Sequence, residues 1–251
     1  MMLYKGMSKL FVIFLAFSVA KATASFTAVL AHYHEPFECV NHTIDLIHKT
    51  VGAEARILVY SKDRRRTPPL PWVYRYLRNE GREGDVYLEF IINHYYSLPD
   101  HVLFSQACPE VKDFETRLVQ WSNTTHMFNL GGAEWGTCDG TDYYPMHRLH
   151  DVYVLTHASL CPTQKFLSFM QGQFVVSRKR ITRNSVEVYH LLQDTLHDNA
   201  TNEDIYDIKD EDIRNSKLAN HENHNANYFS YVLERAWVII FDCMKTNEEP
   251  C

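Results

Sequence analysis

After its first two dozen residues the chain has no uncharged apolar run long enough to cross a membrane. The nearest approach, YVLERAWVIIF (231–241), is broken by Glu234 and Arg235, whereas a spanning helix needs about 20 apolar residues. There is no CxxC pair, which excludes a zinc ribbon. A P-loop, a Rossmann glycine fingerprint and a serine nucleophile elbow are also missing. Basic charge is not in excess: the formal net charge is −6, which argues against a broad nucleic-acid surface. No internal repeat breaks the chain into stacked units.

What the chain has begins with a leader. Lys5 and Lys9 precede the apolar run 10–20, and Ala22-Thr23-Ala24 follows as a small-residue cleavage site. This is the three-part layout of a secretory signal peptide over 1–24; the apolar run is too short for the alternative, a stable membrane anchor. Cleavage after Ala24 removes three lysines and no acid, taking the charge from −6 to −9. Asn41, Asn123 and Asn199 each open an N-glycosylation acceptor, readable only in the secretory lumen. Six cysteines remain, at 39, 108, 138, 161, 243 and 251. An even number in an oxidising compartment predicts disulfides, with the pairing left open. The expected location is the secretory pathway lumen or the cell exterior. With 45% hydrophobic and 13% aromatic residues, residues 25–251 suit a single domain.

FTAVLAHY (26–33) and RILVY (56–60) read as strands, and the apolar spacing of Val40, Ile44 and Ile47 between them as a helix. That is a βαβ unit with parallel pairing. KDRRRTPPLPW (62–72) is a proline-rich loop. Val86, Tyr87, Phe90, Ile91 and Tyr95 form one apolar helical face, with Glu83 and Asp85 at the positive end of its dipole. HVLFSQ (101–106) is the third predicted strand. VKDFETRLVQW is a helix, NLGGAEWGTCDGTDYYPMH a glycine-rich loop, RLHDVYVLTHASL a helix and GQFVVS (172–177) a strand. RKRITRNSVEVYHLLQDTLHD is read as one long amphipathic helix, 198–227 as an acidic surface insertion, and NYFSYVLERAWVIIFDC as a mostly buried closing helix. The predicted fold is a three-layer α/β sandwich with a mainly parallel, Rossmann-like central sheet.

In such sheets ligands bind outside the carboxyl ends of the strands. That rule selects AHYHEP after the first strand, SQACPE after the third, and the GREGD helix start. Free N–H groups, the helix dipole and Arg82 suit an anion; the alternative is an ordinary Arg82–Glu83 salt bridge beside turn-forming glycines. His32 and His34, at i, i+2, point to the same side of a strand beside Glu35, a conceivable zinc set that 14 histidines also produce by chance. The triplets 64–66 and 178–180 read as solvated basic faces and HENH (221–224) as a solvated loop. Glu234 shares the inward face of the last helix with Tyr231, Trp237, Val238 and Phe241. It pairs with a structural arginine or faces the cleft.

Four segments in order, AVLAHYHEP, NEGREGDVYLEFIINHYYSLPDHVLFSQACP, GQFVVSRKRI and YVLERAWVIIF, resemble the domain of unknown function 3431 family. The resemblance spans 26–241, less the middle loops and the acidic insertion. The family layout is similar, by fold analogy, to nucleotide-sugar glycosyltransferases of GT-A type. The resemblance implies that Tyr33 and Glu35 contact the nucleoside, Arg82 and Glu83 frame the diphosphate, and Glu234, Gln173 and Gln106 serve the sugar and the acceptor. The partners would be a nucleotide sugar and a glycan acceptor, with no nucleic acid. Such enzymes commonly hold a divalent cation with an Asp-x-Asp pair, but here the expected Asp is replaced by Cys108, a poor ligand for a hard cation. The cofactor therefore stays open: no metal, or Glu110 as a substitute ligand. Two readings compete with the enzyme: a secreted glycan-binding protein without turnover on the same fold, and a metal-dependent hydrolase built on His32, His34 and Glu35.

Overall fold

The computed structural model describes residues 25–63, 73–109, 111–141, 146, 148–198, 228–244 and 251. The leader 1–24, the basic triplet 64–66, Glu110, Asn199 and nearly all of the acidic segment 198–227 lie outside the described residues.

Strand β1 (Phe26–His32) is buried along its whole length, as expected of a near-continuous apolar strand covered on both faces. It pairs in parallel with β2 (Arg56–Ser61) on one side and with β4 (His101–Gln106) on the other, His32 facing Ser61 and Ala31 facing Gln106. The edge strand β3 (Val73–Tyr76) pairs in parallel with β2. Beyond β4 the direction reverses: β9 (Phe174–Ser177) runs antiparallel to it and β5 (Met127–Asn129) antiparallel to β9. The six-stranded order is β3-β2-β1-β4-β9-β5, a mainly parallel sheet as the sequence predicts.

The two faces of β1 alternate with a period of two. Phe26, Ala28 and Leu30 face helices α1 (Phe37–Val51) and α3 (Val111–Gln120), packing with Val40, Leu46, Ile47, Phe114 and Leu118. Val29 and Ala31 face α2 (Arg82–His94) and α7 (Tyr228–Ile240), among Tyr87, Phe90, Phe104, Phe174 and Trp237. Three layers result. α7 is apolar around most of its circumference and is almost wholly buried, as a helix without a polar face must be.

Four readings change. Val73–Tyr76, beyond the proline-rich loop, is a fourth parallel strand, and Met127–Asn129 joins the sheet as β5. The glycine-rich loop contains β6 (Ala133–Thr137) and β7 (Gly140–Thr141), which with β8 (Phe166–Phe169) make a second sheet, ordered β7-β6-β8. It rests against α7, where Ser168 Oγ donates to the Arg235 carbonyl at 2.9 Å. The predicted single helix over 178–198 is two, α5 (Arg178–Ile181) and α6 (Val186–His197). Asn184 leaves the helical path to donate to the Ile240 carbonyl at 2.6 Å, closing the end of α7, and accepts Tyr95 Oη on its own carbonyl. Helix α4 (Arg148–His157) follows the expected segment.

All six cysteines pair: Cys39–Cys108, Cys138–Cys161 and Cys243–Cys251. Three disulfides fit an oxidising compartment. No helix among the described residues is long and apolar enough to cross a membrane. Cys39–Cys108 ties the first turn of α1 to the end of β4 across 69 residues of chain. Closing a loop of that length is worth about 4 kcal/mol against the unfolded chain. We expect the double substitution Cys39→Ser, Cys108→Ser to lower unfolding free energy by about 2–4 kcal/mol in urea titration, while leaving the far-ultraviolet circular dichroism unchanged.

Candidate functional site

Because β1, β2 and β4 run the same way, their last residues emerge at one rim. β1 ends at His32, whose buried ring sits 2.9 Å from Ser61 Oγ at the end of β2 and 3.3 Å from the Glu35 carbonyl. The chain then turns: the Tyr33 N–H donates to Glu35 Oε2 at 2.6 Å. His34 leaves the strand line, stacks against Tyr33 and lies 3.2 Å from Asp63. His32 and His34 therefore do not stand in one strand. The strand ends between them, one ring being buried and the other exposed, and no group of three His, Cys, Asp or Glu side chains that could hold a metal occurs among the described residues.

The start of α2 is the other wall. Gly81 (φ 64°) and Arg82 (φ 50°) are both left-handed, and a Cβ on Gly81 would lie 2.5 Å from Leu196 Cδ2. Glycine suits the first of these positions on both counts. This entry turns the carbonyls of Glu80 and Arg82 toward the Lys62 ammonium, which donates to both and lies 3.3 Å from Asp85 Oδ2. Burial pulls the Lys62 ammonium below its usual pKa despite Asp85. On its other oxygen Asp85 meets His197 at 2.8 Å, from the last turn of α6. Burial alone would raise the Asp85 carboxyl; His197 and Lys62 hold it below the usual range instead. The helix start is thus not a bare anion socket. Its first turn carries two buried carboxylates, and its ammonium is already engaged.

Arg82 is a quarter exposed. Its Nε lies 3.4 Å from Glu83 Oε2, a terminal nitrogen lies 3.5 Å from Glu234 Oε2, and its guanidinium carbon sits 4.6 Å over the Tyr231 ring. Burial would lower its pKa, but the two carboxylates outweigh this. Glu83 feels burial most, which raises its pKa, with Arg82 opposing and Glu234 adding to the rise. Beneath it the Tyr87 hydroxyl is buried without a hydrogen-bond partner among the described residues; burial, then Glu83 and Glu234, push its pKa up. Of the two alternatives for Glu234, the pairing with arginine is the one that forms. Its Oε1 accepts the Gln171 N–H at 2.9 Å and lies 3.4 Å from Arg235, which is itself paired with Glu134 at 3.2 Å; its Oε2 reaches the cleft arginine.

Ala31, His32, Tyr33, Glu35, Lys62, Arg82, Glu83 and Gln106 line one cleft of about 210 Å³. A second hollow of about 240 Å³ adjoins it through Tyr33 and Lys62 and adds His34, Asp63, Leu77, Arg78 and Asn79. Of the expected site residues, Tyr33, Glu35, Arg82, Glu83 and Gln106 are thus brought together. Glu234 stands behind Arg82 and does not line the cleft. Gln173 is buried just before β9 and is not among the lining residues. Asn41 is half-buried on α1 and Asn123 exposed in the turn after α3. Lys62 and His197 were not singled out from sequence, and Tyr231 only as a neighbour of Glu234 on one helix face. For Lys62 the signal was its place directly after β2, where the strand-end rule applies; nothing marked His197. Cys108 is bonded to Cys39, so its sulfur is no ligand. Among the described residues, the donor set where an Asp-x-Asp pair is expected does not fit a hard cation.

Two outcomes test this wiring. Lys62→Met should cost about 3–5 kcal/mol of stability, measured by denaturant titration, because it strands the buried Asp85 carboxylate and two carbonyls. The His197–Asp85 contact raises the His197 pKa through the hydrogen bond. Its stabilisation is therefore complete below the ordinary histidine value of about 6.5 and fades as pH climbs through the raised folded value. On the acid side it fades as pH falls through the lowered value of Asp85. We expect the melting-temperature gap between wild type and His197→Gln to be widest near pH 5–6 and to narrow above about pH 7.

Residues 41–131 match the family model described as "Protein of unknown function (DUF3431)". The match runs from within α1 through β4 to the glycines after β5. The segments AVLAHYHEP, GQFVVSRKRI and YVLERAWVIIF lie outside it. No curated protein matches the chain.

Proposed function

We propose that this member of the DUF3431 family binds a nucleotide sugar at the carboxyl rim of its parallel sheet, as a glycosyltransferase-like protein of the secretory lumen or cell exterior. What carries the reading is the convergence of residues 31–33, 35, 62, 82–83 and 106 on one cleft. That cleft lies where the strand order 3-2-1-4 reverses between β1 and β4, the switch point at which open α/β sheets take nucleotides. Two adjoining hollows suit a ligand with two parts, the nucleoside toward Tyr33 and the sugar toward Gln106. Arg82 is the cation that would face the diphosphate. The amino-terminal leader and the acceptors at Asn41, Asn123 and Asn199 agree with the three disulfides on a secretory route.

One observation favours a second reading, a glycan-binding protein without turnover. The Arg82 charge is already met by Glu83 and Glu234, and neutral sugar hydroxyls suit such a surface better than a diphosphate does.

Thermal stability with a panel of nucleotide sugars at millimolar concentration distinguishes the two, since ligand binding raises apparent stability by mass action. We expect at least one nucleotide sugar and its nucleoside diphosphate to raise the melting temperature. A protein that responds to oligosaccharides alone belongs to the second reading. Tyr33→Ala, at a half-open position, should abolish the shift while changing the stability of the free protein by less than about 1 kcal/mol.

A further inference from the structure

Glu83 is buried to 8% exposure, yet it borders the cleft. The loop before β9 closes over its stem: a Cβ on Gly172 would lie 3.4 Å from Glu83 Cγ. Around it stand Arg82 on the same helix start, Glu234 from α7, Lys62 after β2, and the Tyr87 hydroxyl, which has no hydrogen-bond partner among the described residues. One guanidinium thus serves two carboxylates, and only one of these reaches the cleft. A carboxylate is an odd neighbour for a diphosphate. It is a suitable one for a hydroxyl that must lose its proton.

We propose that Glu83 is the proton acceptor of this cleft, taking the proton of an attacking hydroxyl as a nucleoside diphosphate leaves. The inference rests on the nucleotide-sugar reading above and deepens it. The hydroxyl oxygen, of water or of a glycan acceptor, bonds to the anomeric carbon. The bond from that carbon to the diphosphate oxygen breaks and its electron pair leaves with the diphosphate. The hydroxyl proton passes to the Glu83 carboxylate. The geometry adds a charge hand-over. While ionised, Glu83 helps mask Arg82. Once protonated it no longer does, and the guanidinium meets the leaving diphosphate with one carboxylate, Glu234, in place of two. The stabilising charge is exposed as negative charge develops on the leaving group, which is when it lowers the barrier. Burial and the second carboxylate raise the Glu83 pKa against the opposing pull of Arg82, which makes the carboxylate a stronger base.

The test uses the full mature chain, a panel of nucleotide sugars as probes, and water or added monosaccharide as acceptor. Binding is read by thermal shift and turnover by release of nucleoside diphosphate. Glu83→Gln should bind the same nucleotide sugar and release diphosphate about 10²–10⁴-fold more slowly. The wild-type rate should rise with pH through one ionisation above the ordinary carboxylate range, a step absent from Glu83→Gln, while Glu83→Asp keeps the step at a reduced rate. A Glu83→Gln protein that turns over at the wild-type rate with the wild-type pH profile overturns the proposal. So does a wild type that binds but never releases diphosphate, or the failure of both variants to fold, which makes the residue structural. If no nucleotide sugar binds the wild type, the nucleotide-sugar reading fails first and this one with it.

Discussion

Parallel pairing on both flanks of β1 is the constraint from which the candidate site follows. Three strands that share one direction must deliver their final residues to one rim. The side chains of 31–33, 35, 62 and 106 therefore meet without any loop having to reach for another. The pairing is in turn enforced by burial. β1 has no solvent face, so each of its sides must be covered, and the alternation of Phe26, Ala28 and Leu30 with Val29 and Ala31 assigns α1 and α3 to one layer and α2 and α7 to the other. The reversal at β9 ends the parallel half and brings the backbone of 170–172 over the start of α2.

The electrostatics of the rim follow from its depth. A buried ammonium, a guanidinium and several carboxylates are tolerable only in mutual contact, and here they form two connected sets. Lys62, Asp85 and His197 fix the entry of α2. Arg82, Glu83, Glu234, Arg235 and Glu134 run from the cleft to the second sheet. The first set holds the backbone in its left-handed entry. The second meets the cleft only at Arg82 and Glu83, so these two residues carry the exposed part of a largely internal charge chain.

The central strands and the α2 face were legible in the sequence because burial on one or two faces leaves a plain periodic mark, as Val86, Tyr87, Phe90 and Ile91 show. The rim was legible for the same reason, since a rule about strand ends needs only strands. Short strands escaped. Met127–Asn129 and Ala133–Thr137 carry too few residues for alternation to stand out among glycines. The break between α5 and α6 depends on Asn184 finding the Ile240 carbonyl, a contact between residues 56 positions apart that no local pattern records. Likewise nothing near Arg82 announced that Tyr231 would lie under its guanidinium. The Glu234 ambiguity arose because periodicity says a side chain turns inward but not which partners wait there.

Cys39–Cys108 ties the first turn of α1, which follows directly on the turn that carries Tyr33 and Glu35, to the strand end that carries Gln106. Those two walls are therefore set to their spacing when the chain is oxidised, and the loss of loop freedom is incurred during folding, not on each encounter with a ligand. Binding against such a preset gap forfeits little conformational entropy. The opposite wall, at the start of α2 and the Gly172 backbone, carries no disulfide and is held by packing and ion pairs alone.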